Sequence, residues 1–473
     1  MTATLDPQRA LFAAHALLPG GWASNVLLAW NETGCLTDVR SVDAAMVTKV
    51  QHAAGPLIAG MPNLHSHAFQ RAFAGLSEYR SAGSDNDNGS DSDSDSFWTW
   101  RNLMYRFALA ISPEQLEDLA THLYVEMLQA GYTSVCEFHY LHHDASGRPY
   151  GDIAEMSMRL VAAAQRAGIG ITLLPVLYQY AGFGALPPRA DQRRFINSVD
   201  ALLRIVERIR AHGARVGVAP HSLRAVAPTA LNELLAGLNL IDNTAPIHVH
   251  IAEQAQEVHD CIAWSGRRPV QWLLDHAAVD ARWCLVHATH MDAAETRAAA
   301  ATGATVGVCP STEANLGDGV FDAVAWAAAN GHWGIGSDSH ASVDAAEELR
   351  LLEYSQRLSR QRRNLLASLH HAQVADQLWL ASASGGARAS ARPVGVLAVG
   401  AQADLIVLDV AHALAGLNPS QVLANHVFAS HGRNTVRDVW VGGRQRIIEA
   451  RHPLEGLACE RFVAARSQLL REV

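Results

Sequence analysis

Short apolar runs alternate with longer amphipathic stretches through the middle of the chain. The runs are almost continuously hydrophobic, as in strands that are buried on both faces, and stretches such as "NSVDALLRIVERIRAHG" (197–213) have the apolar spacing of a helix. The predicted strands are 57–69, 132–140, 169–178, 215–224, 246–254, 282–290, 305–312 and 333–340. Eight strands, each followed by a helix-length segment, predict an α/β fold with a (β/α)8 TIM-like barrel.

The two ends of the chain have a different pattern. Residues 1–55 and 392–473 contain short predicted strands separated by Gly and Asn turns. Because these segments flank the barrel domain, 56–391, we expect them to pair with each other in a small β-sandwich. Within the barrel domain, "SAGSDNDNGSDSDSDS" (81–96) has five Asp and almost no apolar residue, which predicts a mobile acidic loop.

Composition and charge narrow the possible partners. The chain is 49% hydrophobic and 18% charged, which is typical of a globular protein, and its net charge is −9. The negative charge and the absence of a basic patch argue against nucleic acid, and no apolar run approaches the ~18 residues of a membrane span. Six cysteines without paired spacing and an N-terminus unlike a signal peptide predict a cytoplasmic protein.

Histidines fall at the predicted strand ends, where barrel enzymes carry their chemistry. His65 and His67 are one residue apart and therefore lie on the same face of the first strand. With His250 near the end of the fifth strand and Asp338 near the end of the eighth, they form a His/carboxylate set of the kind that binds a catalytic metal. His248 shares a face with His250 but lies deeper, so we predict that His250 is the ligand. Asp338 could instead accept a proton without binding the metal.

The order of these motifs resembles that of a known superfamily. "HSH" after strand 1, "HIAE" after strand 5 and "SDS" after strand 8 look like the amidohydrolase superfamily. Longer strings, including "MPNLHSHAFQRAFAGL", "EFHYLHHD", "STEANLGDG" and "GIGSDSH", resemble the bacterial formimidoylglutamate deiminases over almost the whole chain. The resemblance implies a barrel with a composite β-sandwich. It also implies hydrolysis of N-formimino-L-glutamate to N-formyl-L-glutamate and ammonia, a step of histidine degradation.

The number of metal ions follows from a departure from the superfamily pattern. Many members bridge two metals with a carboxylated lysine at strand 4, but here that strand ends in "APHSLRAV" and the chain has a single lysine, Lys49. The resemblance therefore implies one divalent ion per chain. Zn²⁺ is expected, although His₃Asp ligation also suits iron or manganese. Similar family members suggest a homodimer.

The resemblance also implies roles for further residues. Glu253 is expected to be the proton shuttle, although a carboxylate at the start of a helix is its plain structural alternative. His287 would orient the attacking hydroxide or steady developing charge, together with Asp338. The substrate has two carboxylates, for which Arg224 and Arg101 are the predicted partners. The other predicted substrate contacts are Gln70, Tyr140, His221 and Ser337.

Two other functions fit parts of the sequence. A deaminase of a purine, pyrimidine or related heterocycle would use the same metal ligands but would need stacking and amide groups rather than two arginines. A non-catalytic barrel would have lost ligands or the shuttle, yet all of them are present.

Overall fold

The computed structural model describes residues 6–78, 97–410, 414–430 and 433–473. The acidic stretch predicted as a mobile loop, 81–96, lies outside these residues. The strands of the described residues are β1 Ala10–Leu18, β2 Gly21–Trp30, β3 Leu36–Ser41, β4 Gln51–His52, β5 Leu57–Ala59, β6 Met61–Ser66, β7 Tyr132–His139, β8 Gly170–Leu177, β9 Arg215–Val216, β10 Ala219–Pro220, β11 Ile247–Ile251, β12 Trp283–His287, β13 Thr305–Val308, β14 His332–Ile335, β15 Leu405–Leu408, β16 Val436–Val441 and β17 Arg444–Ile447.

Helices follow the central strands, as the sequence pattern predicts. Those of the described residues are α1 Phe97–Ala110, α2 Pro113–Gln129, α3 Glu155–Ala167, α4 Val199–Ala211, α5 Pro228–Ile241, α6 Ala255–Ser265, α7 Pro269–His276, α8 Ala293–Ala301, α9 Pro310–Leu316, α10 Ala323–Ala328, α11 Ala345–Arg360, α12 Val374–Ser390, α13 Pro419–Phe428 and α14 Glu455–Glu472. Within the described ranges, none of them is long and apolar enough to cross a membrane.

Helix α4 illustrates how the sequence produces these elements. The Ser198 side chain accepts a hydrogen bond from the backbone N–H of Ala201, which caps the first turn. Leu202, Ile205 and Ile209 recur at helical spacing and are fully buried, so one stripe of the helix packs against the barrel. The amphipathic pattern thus determines both the helix and the face that it buries.

The central strands close into a barrel. Strands β6, β7 and β8, with the short β9 and β10, form one parallel sheet, and β11 to β14 form another. Parallel bridges join the two sheets at both edges: Val218 pairs with Ile247 on one side, and Ser66 pairs with Asp338 on the other. The predicted (β/α)8 barrel is therefore confirmed, and closure brings the first and eighth strands together.

The strands near the two ends of the chain share one sheet. Its order is β17-β16-β15-β5-β1-β2-β3, with β4 paired to β1. The predicted first barrel strand is divided at Gly60, because β5 belongs to this terminal sheet and β6 to the barrel. The two-layer sandwich and the domain boundaries at 55/56 and 391/392 stay predictions.

Glycines on α12 allow this helix to pack closely against the barrel strands. A Cβ on Gly385 would lie 1.8 Å from the Trp333 carbonyl oxygen of β14. We expect Gly385→Ala to lower the free energy of unfolding by about 1–3 kcal/mol or more, because backbone atoms would have to move. Gly456→Ala on the exposed start of α14, with no atom within 4 Å, is the control. It should be neutral or stabilising by up to about 1 kcal/mol. Urea unfolding of both variants distinguishes close packing from helix propensity.

Candidate metal centre

Four side chains converge at the carboxyl ends of the barrel strands. His65 Nε2 lies 3.1 Å from His67 Nε2 and 3.0 Å from His250 Nε2. Asp338 Oδ1 lies 3.3 Å from the Nε2 atoms of both His65 and His67. All four side chains are buried. The structure therefore assembles the four residues that the sequence predicts as ligands.

The hydrogen bonds of His67 and His250 leave their Nε2 atoms free to bind a cation. His67 Nδ1 and His250 Nδ1 lie 2.8 and 3.1 Å from the carbonyl oxygens of Phe138 and His221. An Nδ1–H that donates to a carbonyl leaves Nε2 with a lone pair, and two facing lone pairs at about 3 Å repel unless a cation lies between them. Four ligands around zinc would be separated by roughly 3.3 Å.

Burial tunes the charges of the same groups. It lowers the pKa of His65 to about 3 and also lowers the pKa values of His67 and His250, so the imidazoles are neutral. Burial opposes ionisation of Asp338, but its hydrogen bond with His65 and the nearby His287 lower the pKa of its carboxyl. Three neutral imidazoles and one carboxylate are a donor set for a divalent metal.

His248 is two residues before His250 on β11 and is completely buried. Its Nε2 lies 2.8 Å from the carbonyl oxygen of Ala389, which belongs to α12. His248 therefore lies deeper in the barrel than the ligand cluster, as the sequence predicts.

The backbone leaves regular strand geometry where the ligands lie. Asp338 has φ of 47° and His287 has φ of 66°, in the left-handed region that non-glycine residues seldom adopt. The Asp338 N–H donates to the His65 carbonyl at 3.0 Å, and the His67 N–H donates to the Asp338 carbonyl at 3.1 Å. These bonds across the barrel seam hold the unusual conformation of Asp338 in place.

His287 connects the ligands to two further carboxylates. Its Nε2 lies 3.8 Å from both Glu253 Oε1 and Asp338 Oδ2, and its Nδ1 lies 3.3 Å from Glu313 Oε1. Burial disfavours the charged ring, but Glu253, Glu313 and Asp338 outweigh it and raise the pKa of His287 to about 10. The three carboxylates thus favour the protonated form of His287.

Glu313 was not among the predicted site residues. It lies in the first turn of α9, after the seventh strand. Its Oε1 also accepts a hydrogen bond from the Cys309 N–H at 2.9 Å. Two features of the sequence point to a role for it: its position after the seventh strand, at the barrel mouth, and its place in the string "STEANLGDG".

Ser337 was predicted to contact substrate, but it lies below the ligands and is completely buried. Its hydroxyl accepts from Asn63 Nδ2 at 2.6 Å and lies 3.0 Å from His340 Nδ1. His340 Nε2 in turn lies 3.1 Å from the Ser66 hydroxyl, which donates to Glu137 at 2.6 Å. Since this network consumes the Ser337 hydroxyl, we assign Ser337 a positioning role instead of a substrate contact.

A cleft opens above the ligands and encloses about 680 Å³ of space, including solvent at its mouth. Arg224 Nη2 lies 3.4 Å from Glu253 Oε2, and Gln70 donates to the Tyr140 hydroxyl at 2.9 Å. The predicted substrate-binding residues that line the cleft are Gln70, Arg101, Tyr140, His221 and Arg224.

Comparison with known proteins agrees with this architecture. The sequence model described as "Amidohydrolase family" matches residues 57–446. A formimidoylglutamate deiminase of Pseudomonas aeruginosa is 50% identical over 465 residues, which cover 98% of this chain and 99% of the relative. An 8-oxoguanine deaminase of the same organism is 28% identical and covers 77% of this chain and 78% of its own length.

Solved structures extend the comparison to the fold. The crystal structure of an amidohydrolase from Brucella melitensis superimposes with a TM-score of 0.89 at 45% identity, covering 98% of this chain and 100% of the other. A zinc-bound adenosine deaminase from Xanthomonas campestris shares the fold, with a TM-score of 0.78, 22% identity and 98% coverage of both chains. The predicted resemblance is confirmed: with a matched family model over most of its length and a half-identical relative aligned from end to end, this chain belongs to the amidohydrolase family.

Proposed function

We propose that this protein hydrolyses N-formimino-L-glutamate to N-formyl-L-glutamate and ammonia, in histidine degradation. It is a hydrolase that acts on a C–N bond of a linear amidine. The observation that carries the proposal is the pair of arginines, Arg101 and Arg224, in the cleft beside the ligand cluster, because a dicarboxylate needs such cations. The half-identical relative supports it, whereas the 8-oxoguanine deaminase is only 28% identical.

We propose one divalent ion, Zn²⁺, held by His65, His67, His250 and Asp338. Members of the family are metal-dependent, and the Xanthomonas relative of the same fold is a zinc-bound protein. When bound, such an ion supplies Lewis acidity, which makes hydroxide available from water near neutral pH.

Glu253 is placed to move the protons of the reaction. Its side chain is 7% exposed, and its two oxygens face His287 and Arg224. In hydrolysis, the formimino carbon gains a C–O bond to water and loses its terminal C–N bond, and the departing nitrogen leaves as ammonia. Glu253 takes a proton from the attacking water and delivers it to that nitrogen. It then carries the remaining hydroxyl proton to the same nitrogen as the C–N bond breaks, so the nitrogen gains both protons of the water and the charge of Glu253 is restored at the end.

His287 stabilises negative charge during the same steps. Its imidazolium faces both Glu253 and Asp338, and Glu313 on the opposite nitrogen holds the ring in orientation. A fixed positive group of this kind favours charge that develops on the oxygen attacking the formimino carbon.

The substrate carboxylates would bind to Arg224 and Arg101, with hydrogen bonds from Gln70, Tyr140 and His221. Arg101 lines the cleft of its own chain. We therefore propose that each subunit of a homodimer uses its own Arg101. We infer the homodimer and a cytoplasmic location together with this assignment.

Replacement of Arg101 by Met should raise KM about 10- to 100-fold with little change in kcat, because a charge-assisted bond to a carboxylate is lost while the ligand cluster stays intact. Arg106→Met, on the exposed side of the same helix, is the matched control. Steady-state kinetics measure both. An unchanged KM for Arg101→Met would remove Arg101 from the substrate site.

The proposed function itself is tested by ammonia release from purified protein of known metal content. N-formimino-L-glutamate is compared with guanine, cytosine and S-adenosylhomocysteine. Release from the first substrate alone supports the proposal. Release only from a heterocycle would retain the metal site and Glu253 but replace the dicarboxylate assignment.

A further inference from the structure

Two buried phenol groups line the cleft without a role in the proposed mechanism. Tyr105 lies on α1 and Tyr178 directly follows β8, and they are 3% and 6% exposed. Both hydroxyls are held by one side chain, Gln192, which is completely buried. Gln192 Nε2 lies 3.1 Å from the Tyr105 hydroxyl and 2.9 Å from the Tyr178 hydroxyl.

The direction of these hydrogen bonds follows from the other end of the amide. Gln192 Oε1 accepts the Arg189 backbone N–H at 2.8 Å, so the NH₂ group must be the end that faces the tyrosines. Both phenol oxygens are therefore acceptors from Gln192, and their hydrogens point elsewhere. Even where one phenol donates to the other, the second keeps a hydrogen for an acceptor in the cleft.

The surroundings of the pair favour an anionic acceptor. The guanidinium of Arg101 lies 5.5 Å from the centre of the Tyr105 ring, and that of Arg189 lies 5.6 Å from it. Burial raises the pKa of Tyr178, so its hydroxyl stays protonated and remains a donor. Cations and O–H donors together are the chemistry that binds a carboxylate.

The position of Arg224 indicates which carboxylate this is. Arg224 is 3.4 Å from Glu253, the proposed proton shuttle, so it lies beside the reacting carbon. It is thus suited to the carboxylate on the carbon that carries the formimino group. The segments that carry Tyr105, Gln192 and Arg101 contain no metal ligand. Because a glutamate side chain extends the second carboxylate away from the reacting carbon, these residues suit that γ-carboxylate.

We propose that Tyr105 and Tyr178, oriented by Gln192, donate a hydrogen bond to the γ-carboxylate of the substrate and thereby select a dicarboxylate. This assignment rests on the proposed function. Gln192 acts through the tyrosines and is a positioning residue, whereas the tyrosines touch the substrate.

The test compares phenylalanine variants on substrates that differ in one carboxylate. N-formimino-L-norvaline replaces the γ-carboxylate by a methyl group, and N-formimino-4-aminobutyrate lacks the α-carboxylate. The double variant Tyr105→Phe/Tyr178→Phe keeps both rings but removes the donors. Its kcat/KM for N-formimino-L-glutamate should fall about 10- to 100-fold, mainly through KM, because a hydrogen bond to a charged group is lost. The norvaline derivative should be hydrolysed as by the wild type.

Two further variants separate hydrogen bonding from folding. Gln192→Glu keeps an oxygen for the Arg189 N–H, but its second oxygen accepts the phenol hydrogens and draws them away from the cleft. It should reproduce the selective rise in KM for the γ-carboxylate substrates. Tyr150→Phe is the control, since this hydroxyl interacts with Arg194 and not with Gln192. It should leave kcat/KM unchanged for both N-formimino-L-glutamate and the norvaline derivative. Melting curves verify that all variants are folded.

Other results would overturn the assignment. An equal loss on all three substrates would mean that the pair only supports the fold. A loss that persists with the norvaline derivative but vanishes with the aminobutyrate derivative would move the pair to the α-carboxylate. Wild-type protein that is inactive on N-formimino-L-glutamate would reject the proposed function itself, and this assignment with it.

Discussion

Exchange of Glu253 for glutamine is expected to lower kcat by about 10²- to 10⁴-fold, the usual contribution of a positioned acid–base group. Glutamine has nearly the same shape and keeps an oxygen near Arg224, but it cannot take a proton from water. The ligands His65, His67, His250 and Asp338 are untouched, so bound metal should be unchanged. Ammonia release and elemental analysis of the same preparation measure the two quantities.

Glu257 provides a matched control for this exchange. It is a second buried carboxylate, one turn after Glu253, and it accepts the N–H groups of Ala252 and Glu253 at 3.2 and 3.1 Å. Because its hydrogen bonds position the backbone, Glu257→Gln should cost less than about tenfold in kcat. Equal losses for the two variants, or loss of metal from Glu253→Gln, would argue that Glu253 has only a structural role.

Replacement of His250 by asparagine should remove most of the bound metal and, with it, the activity. Loss of an outer hydrogen-bond partner of a ligand typically weakens metal binding about 10- to 100-fold, and loss of a ligand itself should exceed that. Metal content after dialysis against a chelator measures the effect. Added zinc should restore only part of the activity, because one of the four ligands is missing.

His248→Asn is the control that the strand itself offers. His248 lies on the same face of β11 as His250, but its Nε2 is hydrogen-bonded to the Ala389 carbonyl oxygen on α12. Its replacement should leave the metal in place and lower the free energy of unfolding by about 1–3 kcal/mol, because a buried carbonyl loses its donor. If His248→Asn lost the metal and His250→Asn retained it, the assignment of ligands on β11 would be reversed.

The division between β5 and β6 shows a limit of prediction from the apolar pattern. The segment 57–62 is mostly hydrophobic, and its apolar pattern does not separate β5 from β6. In the structure, Gly60 lies at the division, where a Cβ would meet the Thr133 side chain at 2.3 Å. A pattern of apolar residues reports burial but does not report which sheet provides the burial.

The substrate side of the site was predicted less completely than the metal side. The ligands carry a strong local signal, because two histidines at i and i+2 must share a strand face. Gln192 and Tyr105 carry no such signal: each is an ordinary residue of a helix or loop, and only their contact with Tyr178 gives them a role. Ser337 shows the reverse case, a residue in a conspicuous motif whose hydroxyl is consumed below the site.

The sequence by itself determined the barrel, the histidines at its strand ends, the single lysine that argues for one metal ion, and the family. These are properties of neighbouring residues and of residue order, which periodicity and motifs record directly. Only the tertiary structure decided that Asp338 joins His65 across the barrel seam, that Glu313 orients His287, and that Gln192 holds the two tyrosines. These contacts join residues distant in the chain, and their distances are set when the strands close and the loops pack above them.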